Sequence, residues 1–204
     1  MEMKCKCCKK AFNSYHSLKY HESSCPMHQK QSYPVEIKLQ YIEELNICGF
    51  LGQGRSGVVC KGYFRGIQVA WKLCDISKFP KIKAELLNEV AAYHAMQDIQ
   101  GVFIPKLLAH RSISRLLYAN GITYIAGHHP TKPSSEEKKL AMAALRVMHQ
   151  CGILHNDIHK QNILISRDGI KKQCFLIDFG CSIQSRDKEA RRKERQLLWH
   201  VLST

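Results

Sequence analysis

The middle of the chain alternates between two hydrophobic periods. Val58–Gly62 and Gln68–Leu73 are short, mainly apolar runs separated by turn residues at Phe64–Gly66, which predicts two neighbouring strands. Lys81–Met96 instead repeats its apolar residues every three or four positions and follows Pro80, which predicts a helix. The apolar positions of that helix are Ile82, Leu86, Val90 and Tyr93.

The second half of the chain continues this alternation. Ser134–His149 is predicted to be an amphipathic helix that begins after Pro133, with Ser134, Ser135 and Glu136 as candidates for its cap. Asn162–Ser166 and Gln173–Asp178 have the composition of strands and predict a short hairpin.

The last segment, Arg186–Leu202, is predicted to be a charged helix. Its block Lys188–Arg195 mixes both signs of charge, which is typical of a solvated helix face. Its final turns are apolar, and we expect them to pack back onto the preceding domain. Such packing would favour a complete chain over a fragment.

Composition narrows the class of protein. The chain has 204 residues, 45% of them hydrophobic, which is enough for one ordinary domain and a small accessory module. No apolar run reaches the roughly 18–20 residues that span a bilayer, and the Lys- and Cys-rich start lacks the apolar core of a secretory signal. We therefore expect an intracellular protein of the cytoplasm or nucleus. Its net charge of +14 favours anionic partners.

The ten cysteines fall into two groups. Four lie within the first 25 residues, where clustering suggests a metal site. Most of the others lie in apolar segments and are expected in the core: Cys60, Cys74, Cys151 and Cys174.

The clustered residues have the spacing C-x2-C-x12-H-x3-C, which suits tetrahedral Zn²⁺. Phe12 and Leu18 stand where a ββα finger needs its small core. Residues 3–28 resemble the C2H2 zinc-finger family with Cys25 in place of the second histidine. Ligation by Cys7 or His28, or a merely reactive Cys-rich tail, are the alternatives. The predicted zinc ligands are Cys5, Cys8, His21 and Cys25.

The finger is assigned to residues 1–28 and a polar linker to residues 29–44. Ser14, Ser17 and Tyr20 would occupy the base-facing positions of its helix, and short hydroxyl side chains are weak readers of base edges. Nonspecific contact with nucleic acid, or protein docking, is therefore the expected role of the finger.

A glycine-rich segment after the linker has the pattern G-x-G-x-x-G-x-V, formed by Gly52, Gly54, Gly57 and Val59. Glycines allow the backbone to approach phosphates closely, so that amide groups bind the anion. The strand that follows contains Ala70 and Lys72, and the lysine is placed to pair with phosphates. Glu89 in the predicted helix is the favoured partner of that lysine, with Glu85 as the rival.

Two short motifs further along carry the remaining chemistry. Asp157 stands in the sequence H-N-D-I-H-K-Q-N, which ends at Asn162, and Asp178 begins D-F-G sixteen residues later. Phosphoryl transfer needs a carboxylate near the attacking hydroxyl and oxygen ligands for Mg²⁺. Asp157 suits the first role, and Asn162 and Asp178 suit the second. His155 is expected to brace the loop.

Together these motifs resemble the protein-kinase-like superfamily over roughly residues 45–185. The resemblance implies an α+β, two-lobed fold over residues 45–204, with ATP between the lobes and a hinge near Ile125–His129. It implies ATP and Mg²⁺ as ligands and Asp157, Lys72 and Glu89 as catalytic residues. The implied nucleotide-binding residues are Gly52, Gly54, Gly57, Val59, Ala70, Lys72, Asn162 and Asp178.

Three departures separate the chain from ordinary protein kinases. Asn156 replaces the arginine of H-R-D, and His159 replaces a lysine, as in aminoglycoside- and choline-kinase-like phosphotransferases. Only 24 residues follow Gly180, which predicts a truncated C-lobe. The run Glu89–Tyr93, with Leu107 after Gln100–Pro105, is similar to short fungal kinase-like proteins. The predicted function is a Ser/Thr-type protein kinase with an unknown protein or small-molecule hydroxyl acceptor; the alternatives are an inactive nucleotide-binding scaffold and a nucleic-acid- or protein-binding module acting through the finger.

Overall fold

The computed structural model describes residues 3–4, 11–12, 35–36, 42–54, 57–77, 80–113, 116–168 and 171–204. The chain forms two compact units, Met1–Val35 and Glu36–Thr204. In the first unit, strand β1 (Met3–Lys4) pairs antiparallel with β2 (Ala11–Phe12). The predicted zinc ligands Cys5, Cys8, His21 and Cys25 lie outside the described residues.

The strands after the first two are short or of moderate length. They are β3 (Val35–Glu36), β4 (Gly49–Gly54), β5 (Gly57–Phe64), β6 (Ile67–Asp75), β7 (Leu107–Ile113), β8 (Leu117–Thr123), β9 (Gly127–His128), β10 (Ile153–Leu154), β11 (Ile163–Asp168), β12 (Lys171–Leu176) and β13 (Ile183–Gln184). The helices are α1 (Pro80–Ala95), α2 (Ser135–Gln150) and α3 (Lys188–Val201). Short 310 turns cover Ile42–Leu45, Gln97–Ile99 and Lys160–Asn162.

The larger unit begins with an antiparallel sheet whose five longer strands lie in the order β7-β8-β6-β5-β4. Trp71 on β6 is fully buried and donates its indole N–H to the Leu45 carbonyl at 3.0 Å. A Cβ at Gly121 on β8 would come within 2.4 Å of the Trp71 ring, so the glycine makes room for the indole. This packing holds β6, the strand of Lys72, in the centre of the sheet.

The second part of this unit is built on α2. Its N-terminus has a capping box, in which Ser134 Oγ accepts from the Glu137 backbone N–H and the Glu137 carboxylate accepts from the Ser134 N–H. The β11–β12 hairpin packs beside α2, and β10 pairs with β13. The core here is apolar, and its largest fully buried members are Tyr93, Met96, Ile104, Leu145, Met148, Ile163, Leu176, Phe179 and Leu198.

The structure differs from the sequence-based expectations at three places. Asn162 ends a 310 turn instead of beginning a strand, and β12 ends at Leu176 instead of Asp178. Asp178 has a φ of +64°, which a strand does not allow. The block Lys188–Arg195 is not solvated throughout, because Glu194 within it is buried.

Leu198 and Leu202 in the last turns of α3 are buried, as expected, although Leu197 and Trp199 are exposed. In the part of the chain that the structure describes, no helix combines the length and the apolar character that crossing a membrane requires.

Candidate active site

A cavity of about 700 Å³ opens between the sheet and the α2-containing part of the larger unit. One wall is formed by β4, β5 and β6, and the other by the segment 157–164 and by residues 177–181. The linker 124–126 closes its back, where the hinge was predicted. Apolar side chains that suit a flat ring line part of it: Leu51, Val59, Ala70, Ile122, Leu164 and Ile177.

The glycines of the β4–β5 turn leave one side of this cavity open. A Cβ at Gly52 or at Gly54 would meet nothing within 4 Å, so the protein's own packing does not demand glycine there. Gly57 is different, since its φ is +132° and a Cβ would lie 2.0 Å from the Leu73 carbonyl oxygen. Space at the first two glycines leaves room for a ligand to approach the backbone closely.

Lys72 joins two carboxylates from distant parts of the sequence. Its Nζ lies 2.7 Å from Asp178 Oδ1 and 3.3 Å from Glu89 Oε2. Glu89 also accepts from Asn120 Nδ2 at 3.3 Å, and the same amide donates to the Leu86 carbonyl. Of the two candidates on α1, the favoured one, Glu89, forms an ion pair with Lys72.

The three ionisable groups shift one another's pKa. Burial alone would lower the pKa of Lys72, but Glu89 and Asp178 raise it above its usual range, so the ammonium is permanently charged. Burial raises the pKa of Glu89 against the opposing charge of Lys72. Burial would also raise the pKa of Asp178, but the Lys72 charge and hydrogen bond lower it. The Lys72 ammonium is therefore charged and is held in a fixed position in the cavity by Glu89 and Asp178.

The opposite wall presents Asp157 and Asn162. Asn162 Nδ2 donates to the Asp157 carbonyl at 2.9 Å and to its Oδ2 at 3.2 Å. Because the amide nitrogen is used in this way, Asn162 Oδ1 is the atom that can bind a cation. The Asp157 side chain is 42% exposed, and His159 Nε2 lies 3.5 Å from its Oδ2. Asp157 therefore reaches the cavity as an accessible carboxylate with a fixed orientation.

The loop that carries Asp157 is braced from beneath by His155, as predicted. His155 is fully buried, and its Nε2 lies 3.0 Å from the Ile177 carbonyl. Burial lowers the pKa of His155, so the ring stays neutral and donates from Nε2. Phe179 packs between the rings of His155 and Tyr93, with centroid distances of 5.3 and 5.1 Å. This stack fixes the position of Asp178, the neighbour of Phe179.

A buried carboxylate from α3 also holds the loop. Glu194 Oε1 accepts from the Asn156 backbone N–H at 2.6 Å, and its Oε2 accepts from the His155 N–H at 3.2 Å. The same Oε2 accepts from His149 Nε2 at 2.6 Å. Burial would raise the pKa of Glu194, but the His149 hydrogen bond and the two backbone amides lower it. Glu194 is therefore an ionised acceptor for the two residues that precede Asp157.

Several residues of the site were not predicted. Asn88, Asn120, Asn156 and Glu194 all bind backbone or carboxylate groups around the catalytic residues. Asn120 was detectable in principle, since it is a polar residue inside the otherwise apolar strand β8. Glu194 gave no signal, because its neighbours in sequence are charged as well.

The described residues fit a magnesium–nucleotide complex. Within them, no cluster of three or more His, Cys, Asp or Glu side chains could hold a metal by itself. Mg²⁺ does not need such a cage, since it is commonly bound through one or two carboxylates together with substrate phosphates. Asp178 and Asn162 supply oxygen ligands facing the cavity, Lys72 supplies a cation for phosphate, and the open glycines supply room for it.

Residues 45–200 match the protein kinase domain family, so the chain belongs to that family. This match confirms the predicted membership of the kinase family, and the architecture is α+β as predicted.

Curated relatives agree with the family. A probable serine/threonine-protein kinase of Dictyostelium discoideum is 28% identical over 195 residues, which cover 85% of this chain and 20% of the relative. Human serine/threonine-protein kinase PAK 4 is 29% identical over 153 residues, covering 70% of this chain and 25% of the relative. Calcium-dependent protein kinase 5 of Arabidopsis thaliana is 26% identical over 149 residues, covering 65% and 26%. The matched region thus spans about a fifth to a quarter of these three relatives.

Proposed function

We propose that the chain is an ATP- and Mg²⁺-dependent protein kinase that transfers a phosphoryl group to a serine or threonine hydroxyl. The observation that carries the proposal is the arrangement around one cavity. Lys72 is held by Glu89 and Asp178 on one side, and Asp157 and Asn162 face it from the other. The names of the relatives support the choice of a protein acceptor over a small alcohol.

Each residue has a distinct role in the proposed reaction. Lys72 binds the phosphates of the nucleotide, and Glu89 keeps its ammonium in place. Asp178 and Asn162 hold Mg²⁺, which supplies charge neutralisation on the phosphates when it is bound. Asp157 accepts a hydrogen bond from the attacking hydroxyl and orients it toward the phosphoryl group. The backbone at Gly52, Gly54 and Gly57 covers the phosphates, and Val59 and Ala70 contact the base.

His159 gives the acceptor side an unusual character. It stands beside Asp157, and its Nδ1 lies 3.0 Å from Gln161 Oε1. The resemblance to Ser/Thr kinases implies a lysine at the position of His159. The histidine is instead similar to that of phosphotransferases acting on small molecules, so it favours a small-molecule alcohol as the second class of acceptor. Both classes therefore belong in the first activity assay.

The experiment compares Asp157→Ala with Asp178→Ala in Mg²⁺-dependent ATP turnover and nucleotide binding, using Asp98→Ala as a control for loss of an exposed carboxylate outside the cavity. We expect Asp157→Ala to abolish transfer while nucleotide affinity stays nearly intact. Asp178→Ala should weaken binding only when Mg²⁺ is present. ATP binding without turnover by the unaltered chain would support the nucleotide-binding scaffold instead, and equal loss of binding in both variants would refute these roles.

We also propose that residues 1–28 bind one Zn²⁺ through Cys5, Cys8, His21 and Cys25. The support is the ligand spacing together with Phe12 and Leu18. Metal analysis of the purified chain should find one zinc per molecule, and a Cys8→Ser, Cys25→Ser variant should lose it. A full equivalent of zinc retained in that variant would show that other side chains, such as Cys7 or His28, are the ligands.

A further inference from the structure

The segment 179–182, which follows Asp178, is fastened to helix α1 by one side chain. Asn88 Nδ2 lies 2.8 Å from the Ser182 carbonyl, 3.0 Å from the Gly180 carbonyl and 3.4 Å from the Phe179 carbonyl. Carbonyl oxygens only accept, so the orientation of the amide is determined by its surroundings: the nitrogen must face them. Two N–H bonds are therefore shared among three acceptors.

The segment is also folded on itself and tied to the catalytic loop. Ser182 donates to the Phe179 carbonyl through its backbone N–H at 3.0 Å and through Oγ at 2.7 Å, and its side chain is buried. Asn156 Nδ2 donates to the Cys181 carbonyl at 3.2 Å. Ser185 N–H then donates to the Gly152 carbonyl, where β13 meets β10. Neutral amides and hydroxyls thus make every one of these contacts.

Helix α1 consequently touches the catalytic centre at two adjacent positions. Glu89 on its buried side holds Lys72, and Asn88 on its exposed side holds the backbone next to Asp178. Any movement of α1 would carry the partner of Lys72 and the support of Asp178 together. Lys72 also bonds Asp178 directly, so ion pairs join Glu89, Lys72 and Asp178. Asn88 adds a separate contact, from α1 to the backbone that follows Asp178.

We propose that Asn88 is a positioning residue: by holding the carbonyls of 179–182 to α1, it fixes Asp178 for metal binding without any phosphorylated residue in that segment. The consequence for phosphoryl transfer rests on the function proposed above. In this arrangement the segment 179–182 needs no added phosphate to become ordered, because the amides of Asn88 and Asn156 and the N–H and hydroxyl of Ser182 already bind its four carbonyls.

The test uses Asn88→Ala, which removes the donor, and Asn88→Asp, which keeps the shape but directs a carboxylate at three carbonyls. Ala91→Asp is the matched control, because it adds the same charge at an exposed position of the same helix. Asn88 is itself exposed, so both variants are expected to remain folded.

The first readout is hydrogen exchange in the full chain, which does not depend on activity. The Ser182 amide should exchange roughly 5- to 30-fold faster in both Asn88 variants, the factor for losing one or two hydrogen bonds. The Ser185 amide, which donates to the Gly152 carbonyl, should not change, and Ala91→Asp should match the unaltered chain. Unchanged exchange at Ser182 in both Asn88 variants would overturn the proposal.

The second readout is ATP turnover as a function of Mg²⁺. If the unaltered chain is active, Asn88→Asp should need more Mg²⁺ for half-maximal rate and should lower kcat, whereas Ala91→Asp should do neither. Faster exchange with an unchanged Mg²⁺ requirement would also overturn the positioning role. An inactive unaltered chain would instead refute the proposed function, and the exchange data would still decide whether Asn88 holds the segment.

Discussion

Glu194→Gln is the substitution that best tests how the catalytic loop is held. The carboxylate accepts from the Asn156 N–H through Oε1 and from His149 and the His155 N–H through Oε2. A glutamine keeps the shape but replaces one accepting oxygen with an NH2 group, which only donates. Whichever way the amide turns, at least one backbone N–H beside Asp157 faces an N–H and loses its acceptor.

The expected loss of stability follows from the number of hydrogen bonds that the substitution removes. One buried donor without an acceptor costs about 1–3 kcal/mol, and the remaining bonds lose the strengthening that a charged acceptor gives. We expect a total loss of about 2–4 kcal/mol in the free energy of unfolding. For a chain of this size the corresponding fall in Tm is about 5–15 °C. Displacement of Asp157 should lower kcat roughly 10- to 100-fold with little change in KM for ATP.

The assay pairs thermal unfolding with steady-state kinetics and uses Glu189→Gln as its control. Glu189 lies on the same helix, is 50% exposed and pairs with Arg192, so its loss should change stability by less than about 0.5 kcal/mol. If the Tm of Glu194→Gln stays within about 1 °C of the unaltered chain and kcat is unchanged, the loop is held by other contacts and the reasoning is wrong.

The loss of stability in Glu194→Gln should depend on pH, because the ionised carboxylate is the form that stabilises the fold. The pKa of Glu194 is lower in the folded chain than its usual value of 4.5, so its ionised form stabilises the fold above that value. The stabilisation is lost as the pH falls below 4.5 and through the lowered folded-state pKa. The Tm difference between Glu194→Gln and the unaltered chain should therefore be full at neutral pH and shrink only in acid.

Two further predictions concern the glycine turn and the buried thiols. Gly57→Ala should lower the Tm by several degrees, because its Cβ would overlap the Leu73 carbonyl and its φ is +132°. Gly52→Ala should leave the Tm unchanged and weaken nucleotide binding. Equal Tm values for the two variants would contradict this prediction. Burial raises the pKa of Cys74 to about 11 and that of Cys174 to about 12, so both thiols should react with a maleimide far more slowly at pH 8 in the folded chain than after denaturation. Labelling of both at the rate of the denatured chain would show that they are accessible.

The elements and the charged residues of the site were predictable because each carries a local signal. Pro80 and the spacing of Leu86, Val90 and Tyr93 identify α1, which the structure places at Pro80–Ala95. Ser134, one of the three predicted cap candidates, caps α2, although its partner in the capping box is Glu137 and not the predicted Glu136. Lys72, Asp157 and Asp178 stand in motifs whose chemistry needs those residue types.

The supporting residues were not predictable, because their partners are backbone groups of distant segments. Asn88 binds carbonyls 91–94 positions away, and Glu194 binds amides 38 and 39 positions away. Contacts between residues this far apart along the chain produce no periodic pattern in the sequence. The end of β12 at Leu176 was missed for a related reason: the left-handed backbone of Asp178 is stabilised by Lys72 and the Phe179 stack, which only the folded chain brings together.

The 2.7 Å contact between Lys72 and Asp178 joins residues 106 positions apart, and this has a consequence during synthesis. At a translation rate of about 5–20 residues per second, Lys72 leaves the ribosome roughly 5–20 s before Asp178 does. Glu89 follows Lys72 by 17 residues and β8 ends at Thr123, 51 residues after Lys72, so the sheet and α1 have all left the ribosome about halfway through that interval. For the rest of the interval Lys72 and Glu89 are both available to pair as one positive and one negative charge, while the reactive centre still lacks Asp178.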